Sequence, residues 1–315
     1  MLPIVIAVVD IGSNSVKVLV AKMQHGVMEE IHLDAETTSL ARGLPQTGKI
    51  SEESMDKTLA TLARFQDKFK VLREKHPTLV VKIVATAAMR EASNAKEFAK
   101  KIEDVFSQSI EIISGIEEAE FALRGAMTAR PDTTPEEECL FADLGGASTE
   151  IGFSKPELML VSTSLGALKT HNALELGGGP LSDATWKEAQ DYVWSVLESE
   201  IPLELKEMAH QKKTFIAVGG TIVMATMALG LKPFRPACFE YKRSSLEDFA
   251  DKLRKIGELE RSQIPNLRRD RADILPFGIM LLTQMMKYLG QENGISTVRG
   301  LRHGLAMELL INCKP

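Results

Sequence analysis

The chain reads as an α/β protein built from two related halves. Its 315 residues suffice for one large domain or two ordinary ones, each able to bury a core. One unusual turn occurs twice: Asp10-Ile11-Gly12-Ser13-Asn14-Ser15 lines up with Asp143-Leu144-Gly145-Gly146-Ala147-Ser148. Around each copy, strand-like and helix-like stretches alternate in succession, which is the pattern of an α/β fold.

The elements follow in order. Ile4–Val9 and Val16–Met23 are β-branched runs joined by the Gly/Ser/Asn turn, so they read as paired strands. Glu52–Lys75 places Met55, Leu59, Leu62, Phe65, Phe69 and Leu72 at helical spacing. Leu79–Ala85 reads as a buried strand, Asn94–Phe106 as a helix with Asn94 as its N-cap, and Ile110–Ile113 as a short strand. A helix over Ile116–Thr128 follows Ser114-Gly115, and 130–138 is a Pro- and charge-rich loop. Leu140–Asp143, Glu150–Phe153 and Leu158–Ser162 form a second strand set around the second turn. After the break Gly177-Gly178-Gly179-Pro180 come a helix over Ser182–Glu200 and a strand over Thr214–Val218. The latter runs into Gly219-Gly220-Thr221 and a further helix. Ser245–Ile256 and the Met-rich Leu275–Leu289 read as helices, the methionines as core. Ile295–Val298 is a strand and Leu301–Ile311 the closing helix.

Composition narrows the class. The hydrophobic fraction is 44% and the charged fraction 26%, ordinary for a globular protein. Cys139, Cys238 and Cys313 are too few and too scattered for a disulfide framework or a zinc site, so a reduced, cytoplasmic setting is expected. The six histidines show no metal-ligand spacing. No stretch reads as a membrane span, and the apolar start lacks the basic flank of a signal peptide. A net charge of −5 argues against nucleic acid as a partner.

The duplicated turn carries the chemistry. A short Gly/Ser turn between strands gathers backbone N–H groups on one concave side, a nest that binds anions and phosphate above all. Each turn opens on an aspartate, which beside a phosphate makes sense with a divalent cation between them. Two ordinary hairpin turns are the competing explanation, weakened by the repetition. Gly219-Gly220-Thr221 is a third phosphate-loop candidate, at a strand-to-helix junction.

DIGSNS (10–15), ATAAMREASN (85–94), SGIEEA (114–119), DLGGASTE (143–150), VGGT (218–221), RAD (271–273) and GLRHG (300–304) occur in one characteristic order. By these motifs the chain resembles the exopolyphosphatase/guanosine pentaphosphate phosphohydrolase (Ppx/GppA) family, in a short two-domain form, over essentially its whole length. The two turns alone would also fit the wider actin, sugar-kinase and chaperone ATPase superfamily; SGIEEA separates this family from those kinases. The resemblance implies two actin-like (ribonuclease H-like, ASKHA superfamily) domains with a central active-site cleft. The expected division is 1–122 with the closing helix 300–315, and 123–299.

The resemblance also implies roles. Glu118 matches the catalytic glutamate that activates water. Gly12, Ser13, Asn14, Ser15, Lys17 and Arg90 are expected to hold substrate phosphate, with Gly145, Gly146, Ala147, Ser148, Gly219, Gly220 and Thr221. Asp143, Glu150 and Asp10 are expected to hold Mg²⁺ or another divalent cation. The implied substrate is inorganic polyphosphate, with pppGpp, hydrolysed to ppGpp, as the alternative. A non-catalytic alarmone- or nucleotide-binding protein is the reading from another class. No nucleic acid and no membrane are expected as partners, and a homodimer is among the expected assemblies. Lys17, Lys169 and His303 stand where the family usually has Arg, Arg and Glu, which bears on substrate preference. Arg268, Arg269 and Arg271, with Lys255 and Arg261, line a polyphosphate path or form a solvated helix face.

Overall fold

The computed structural model describes residues 2–131, 134–174, 177–234 and 238–312; Cys313 lies outside them. Internal contacts divide the chain into Met1–Phe121 with Leu301–Pro315, and Ala122–Gly300.

The first unit starts with an antiparallel meander, β1 (Val5–Ile11), β2 (Ser15–Gln24) and β3 (Val27–Thr37). Then come α1 (Leu44–Thr47), α2 (Glu52–Lys75), β4 (Leu79–Ala85), α3 (Ala87–Glu91), α4 (Ala95–Phe106), β5 (Glu111–Ile112) and α5 (Gly115–Met127). The sheet order is β3-β2-β1-β4-β5, with β4 parallel to β1 and β5 parallel to β4. β1 is buried along its whole length, as a central strand covered on both faces must be. Residues Leu301–Asn312 form a helix whose Leu301, Leu305, Ala306 and Leu310 pack on Ile6, Val8, Leu19 and Ala21.

Strand β3 was not evident in the sequence. Its residues are mostly half-buried on both faces and four of them are acidic, so neither hydrophobic period stands out. It forms because β2 offers a free edge. Asn94 stands at the N-cap position of α4, but its side chain makes no capping bond: its oxygen accepts from the Ile50 N–H (3.0 Å) and its amide donates to the Ile50 carbonyl (2.9 Å). The amide thus ties the start of α4 to the chain ahead of α2.

The second unit repeats the plan. Its meander is β6 (Cys139–Leu144), β7 (Thr149–Phe153) and β8 (Met159–Thr163). There follow α6 (Ala167–Ala173), α7 (Asp183–Glu200), α8 (Leu203–Ala209), β9 (Thr214–Val218), α9 (Gly220–Ala228), β10 (Cys238–Lys242), α10 (Arg243–Arg254), α11 (Glu258–Arg261), α12 (Leu275–Tyr288), β11 (Asn293–Thr297) and α13, the helix Leu301–Asn312 of the first unit. The sheet order is β10-β11-β9-β6-β7-β8. β9 runs parallel to β6 and β11 parallel to β9. Read from the meander inward, β8-β7-β6-β9-β11 matches β3-β2-β1-β4-β5. The Met-rich helix α12 is core: Met280, Met285 and Met286 pack with Trp186, Phe215 and Phe277. Among the described residues, no helix is long and apolar enough to cross a membrane.

Candidate functional site

In the first unit three segments leave the carboxyl ends of adjacent strands. The turn Gly12–Asn14 follows β1, Thr86–Arg90 follows β4, and Ser114–Glu118 follows β5. Register holds them together: Ile11 pairs with Ala85, and Ala85 with Ile112. The Thr86 N–H also donates to the Ile11 carbonyl (3.3 Å) and the Ile113 N–H to the Ala85 carbonyl (3.1 Å). The carboxyl ends of parallel strands are where open α/β sheets bind ligands.

The first turn is closed by the Gly12 N–H donating to the Ser15 carbonyl at 3.0 Å. The chain after β3 folds back over it. Ala41 N–H donates to the Ser13 carbonyl (2.8 Å), while Thr38 and Ser39 N–H both donate to that of Asn14 (3.0 Å). A trans peptide points its N–H opposite to its C=O. Anchoring the Ser13 carbonyl therefore turns the Asn14 N–H the other way, and among the described residues neither Ser13 nor Asn14 N–H has an acceptor. Asp10 is buried, and its carboxylate lies 3.6 Å from the Lys17 ammonium, its cross-strand partner.

The second turn is built alike. Gly145 N–H donates to the Ser148 carbonyl, again at 3.0 Å. Here the start of α6 folds back: Ala167 N–H donates to the Gly145 carbonyl (3.1 Å), and Leu168 and Lys169 N–H to that of Gly146 (2.9 and 2.8 Å). The Gly146 and Ala147 N–H groups thus face away and have no acceptor among the described residues. Asp143 is half-buried and sits directly opposite Glu150 on β7. Glu150 is fully buried and accepts from the Ser162 hydroxyl on β8 at 2.9 Å. Two carboxylates facing each other across strands repel unless a cation or proton lies with them.

Gly219, between β9 and α9, has φ 131°, and a Cβ there would meet the Leu144 carbonyl at 2.9 Å; only glycine fits. Among the described residues no side chain caps α9, which leaves its first-turn N–H groups without a side-chain acceptor there. The Arg271 guanidinium lies against Gly220, within 3.4 Å of where a Cβ would stand. Burial, together with Arg268, pulls its pKa down to about 10. Arg261, by contrast, is fully buried and caps the carbonyls of Leu253, Ala272 and Gly179, so it is structural. Lys255 pairs with Asp251 and Arg268 with Asp270.

The two adjacent glutamates of SGIEEA divide their work. Glu117 accepts from the Ser114 N–H (2.8 Å) and its own N–H donates to the Ser114 hydroxyl (3.2 Å), a capping box closing the start of α5. Those bonds hold its carboxyl below the ordinary range. Glu118, about 100° further round the helix, meets Arg90 instead, with Nη1 to Oε2 at 2.7 Å. The same Nη1 donates to the Ile113 carbonyl at 2.9 Å. Nε and Nη2 of Arg90 have no partner among the described residues. Sequence reasoning found the residues of this cluster but missed the capping box, whose S-x-x-E pattern is visible at 114–117. It also missed Ser162, for which the sequence holds no signal.

The model of the Ppx/GppA phosphatase family matches residues 19–312. The chain belongs to the Ppx/GppA family. The curated relatives include the guanosine-5′-triphosphate,3′-diphosphate pyrophosphatase of Aeromonas hydrophila, 29% identical over 308 residues. That match takes in 97% of this chain but 59% of the relative, so the chain spans about three fifths of the curated relatives' length. An exopolyphosphatase structure from Cytophaga hutchinsonii superposes with a TM-score of 0.85 at 22% identity, covering 98% of this chain and 99% of that one. A Ppx/GppA family member from Aquifex aeolicus gives a TM-score of 0.74 at 25% identity, covering 99% and 100%. The fold is accordingly the expected α/β fold of two actin-like units.

Proposed function

We propose that this Ppx/GppA chain is an exopolyphosphatase that removes the terminal phosphate of inorganic polyphosphate. The observation that carries the reading is Glu118, held by Arg90 at the carboxyl ends of β4 and β5 beside the Gly12–Asn14 turn. Hydrolysing a phosphoanhydride asks a protein for alignment, charge neutralisation and a positioned water, and little covalent chemistry. The water oxygen bonds to the terminal phosphorus while the bond from phosphorus to the bridging oxygen breaks. The bridging electron pair stays with the shortened chain, and the water's proton passes to the Glu118 carboxylate. In the first unit the open N–H groups of Ser13 and Asn14 serve as phosphate donors, with Arg90, Ser15 and Lys17; in the second unit those of Gly146 and Ala147 do, with Ser148 and the Gly219–Thr221 loop.

Asp143 and Glu150 fit a hard divalent cation: both offer oxygen donors, and they stand opposite each other across β6 and β7. Asp10 fits less well, because Lys17 already neutralises it. Among the described residues no three His, Cys, Asp or Glu side chains converge on a ready-made metal centre. Mg²⁺ at Asp143 and Glu150 would neutralise charge on the phosphate oxygens. A cytoplasmic setting and a homodimer belong to the same proposal.

The pppGpp 5′-phosphohydrolase is the second reading, favoured by the Aeromonas relative. Phosphate release from long polyphosphate, pppGpp and ATP, with and without Mg²⁺, separates the two. Fastest release from polyphosphate is expected, and preferential turnover of pppGpp would replace the first reading with the second. Glu118→Gln is expected to slow release by ~10²–10⁴-fold. Wild-type-like turnover in that variant would refute the assigned base.

A further inference from the structure

Arg90 is bound along one edge only. Its Nη1 is occupied twice, by the Ile113 carbonyl (2.9 Å) and by Glu118 Oε2 (2.7 Å). Nε and Nη2 carry three further N–H donors with no partner among the described residues. The side chain is 23% exposed and that of Glu118 only 12%, so the guanidinium is fixed from below and open on one side. Its anchor is not the glutamate alone. The Ile113 carbonyl belongs to the residue that follows β5, whose N–H is bonded to the carbonyl of Ala85 at the end of β4. α3, which carries Arg90, starts two residues after Ala85. Both ends of the guanidinium contact are thus referred to the same pair of strands.

We infer that Arg90 positions Glu118 as well as binding phosphate. One edge sets the carboxylate while the Nε/Nη2 fork grips two oxygens of a phosphate. The planar guanidinium then acts as a rigid spacer between base and phosphorus. This rests on the reading of Glu118 as the base and adds a coupling to it. A lysine could supply the charge but neither the second edge nor the fixed separation.

The coupling is tested by a double-mutant cycle on phosphate release, using Arg90→Ala, Arg90→Lys, Glu118→Gln and the two pairs. In the otherwise unaltered protein, Arg90→Ala is expected to raise KM and to lower kcat by ~10²-fold, the cost of misplacing a reacting group by about 1 Å. In the Glu118→Gln background the KM effect should persist, while the kcat effect should vanish because no base is left to position. Arg90→Lys should recover part of KM and little of kcat, and it supplies the cycle if the alanine variant melts. Multiplying kcat losses in the double variants would overturn the coupling while leaving Glu118 as base. A fully active Glu118→Gln protein would overturn the underlying reading and the coupling with it.

Discussion

The two turns share one backbone device and differ in what surrounds it. In each, a glycine N–H bonds to a serine carbonyl three residues on at 3.0 Å, and a later segment ties down two carbonyls. The tied carbonyls are Ser13 and Asn14 in the first unit, but Gly145 and Gly146 in the second, one residue earlier in the aligned motif. The first turn keeps buried side chains, with the Ser39 hydroxyl bonding Asn14 Oδ1 at 3.4 Å. The second is Gly-Gly-Ala, nearly bare backbone that can approach a ligand closely. The aspartates diverge as well: Asp10 has a lysine counter-ion, whereas Asp143 faces a second carboxylate. The two turns thus share the N–H nest and differ in the charge around it. The first unit adds Glu118, the proposed base, and the second adds the acidic pair.

The largest effect that tests this division concerns the two aspartates. Asp143→Asn is expected to cut phosphate release by ~10²–10³-fold, the range for losing one strong electrostatic stabiliser, and to raise the Mg²⁺ concentration needed for half-maximal rate. Asp10→Asn should lose less and leave the Mg²⁺ requirement where it was. Titrating Mg²⁺ against both variants decides the matter. An equal shift in Mg²⁺ requirement would mean that Asp10, despite Lys17, is a metal ligand on the same footing.

A smaller effect separates the glycines. A Cβ on Gly145 would lie 2.6 Å from the Ser148 carbonyl, while one on Gly12 would lie 3.0 Å from that of Ser15. Both neighbours are backbone, so the turn itself must yield. Gly145→Ala should therefore cost about 1–3 kcal/mol of stability, as overpacking does, and Gly12→Ala distinctly less. Denaturant midpoints of the two variants measure the difference, and a larger loss at Gly12 would contradict the geometry.

Much of this was readable in the sequence, for a physical reason. The turns must place glycine next to backbone oxygens, and the central strands must be continuously apolar, so both leave a strong imprint on residue choice. The helix over Glu52–Lys75 was legible from end to end because one face is buried and Ser51 caps it. Pairing across long separations leaves no such imprint. Nothing in DIGSNSVK marks Lys17 as the counter-ion of Asp10; the antiparallel register does that. Ser162 reaches Glu150 only because β8 pairs with β7. Asn94 resembles an N-cap by type, but its φ of −99° and ψ of 14° are not those of a capping residue, and its amide is committed to Ile50.

The smallest effect lies at the helix starts. α5 closes its own N-terminus through Ser114 and Glu117, whereas among the described residues no side chain caps α9. Glu117 should therefore matter for stability and not for chemistry, although it adjoins the proposed base. Its carboxyl is held below the ordinary range by the Ser114 N–H and hydroxyl. A carboxyl lowered on folding contributes stability that is fully present above its unfolded pKa and is lost as pH falls through the folded one. Glu117→Ala is accordingly expected to lower Tm slightly at neutral pH, with the gap to the unaltered protein closing in acid. Its kcat should stay within a factor of about two, because Arg90 still holds Glu118. Melting curves from neutral to acid pH check the first part, and phosphate release checks the second. A Tm gap that widened in acid would assign the wrong sign to the capping box. A large kcat loss would mean that the box, and not Arg90 alone, sets where Glu118 points.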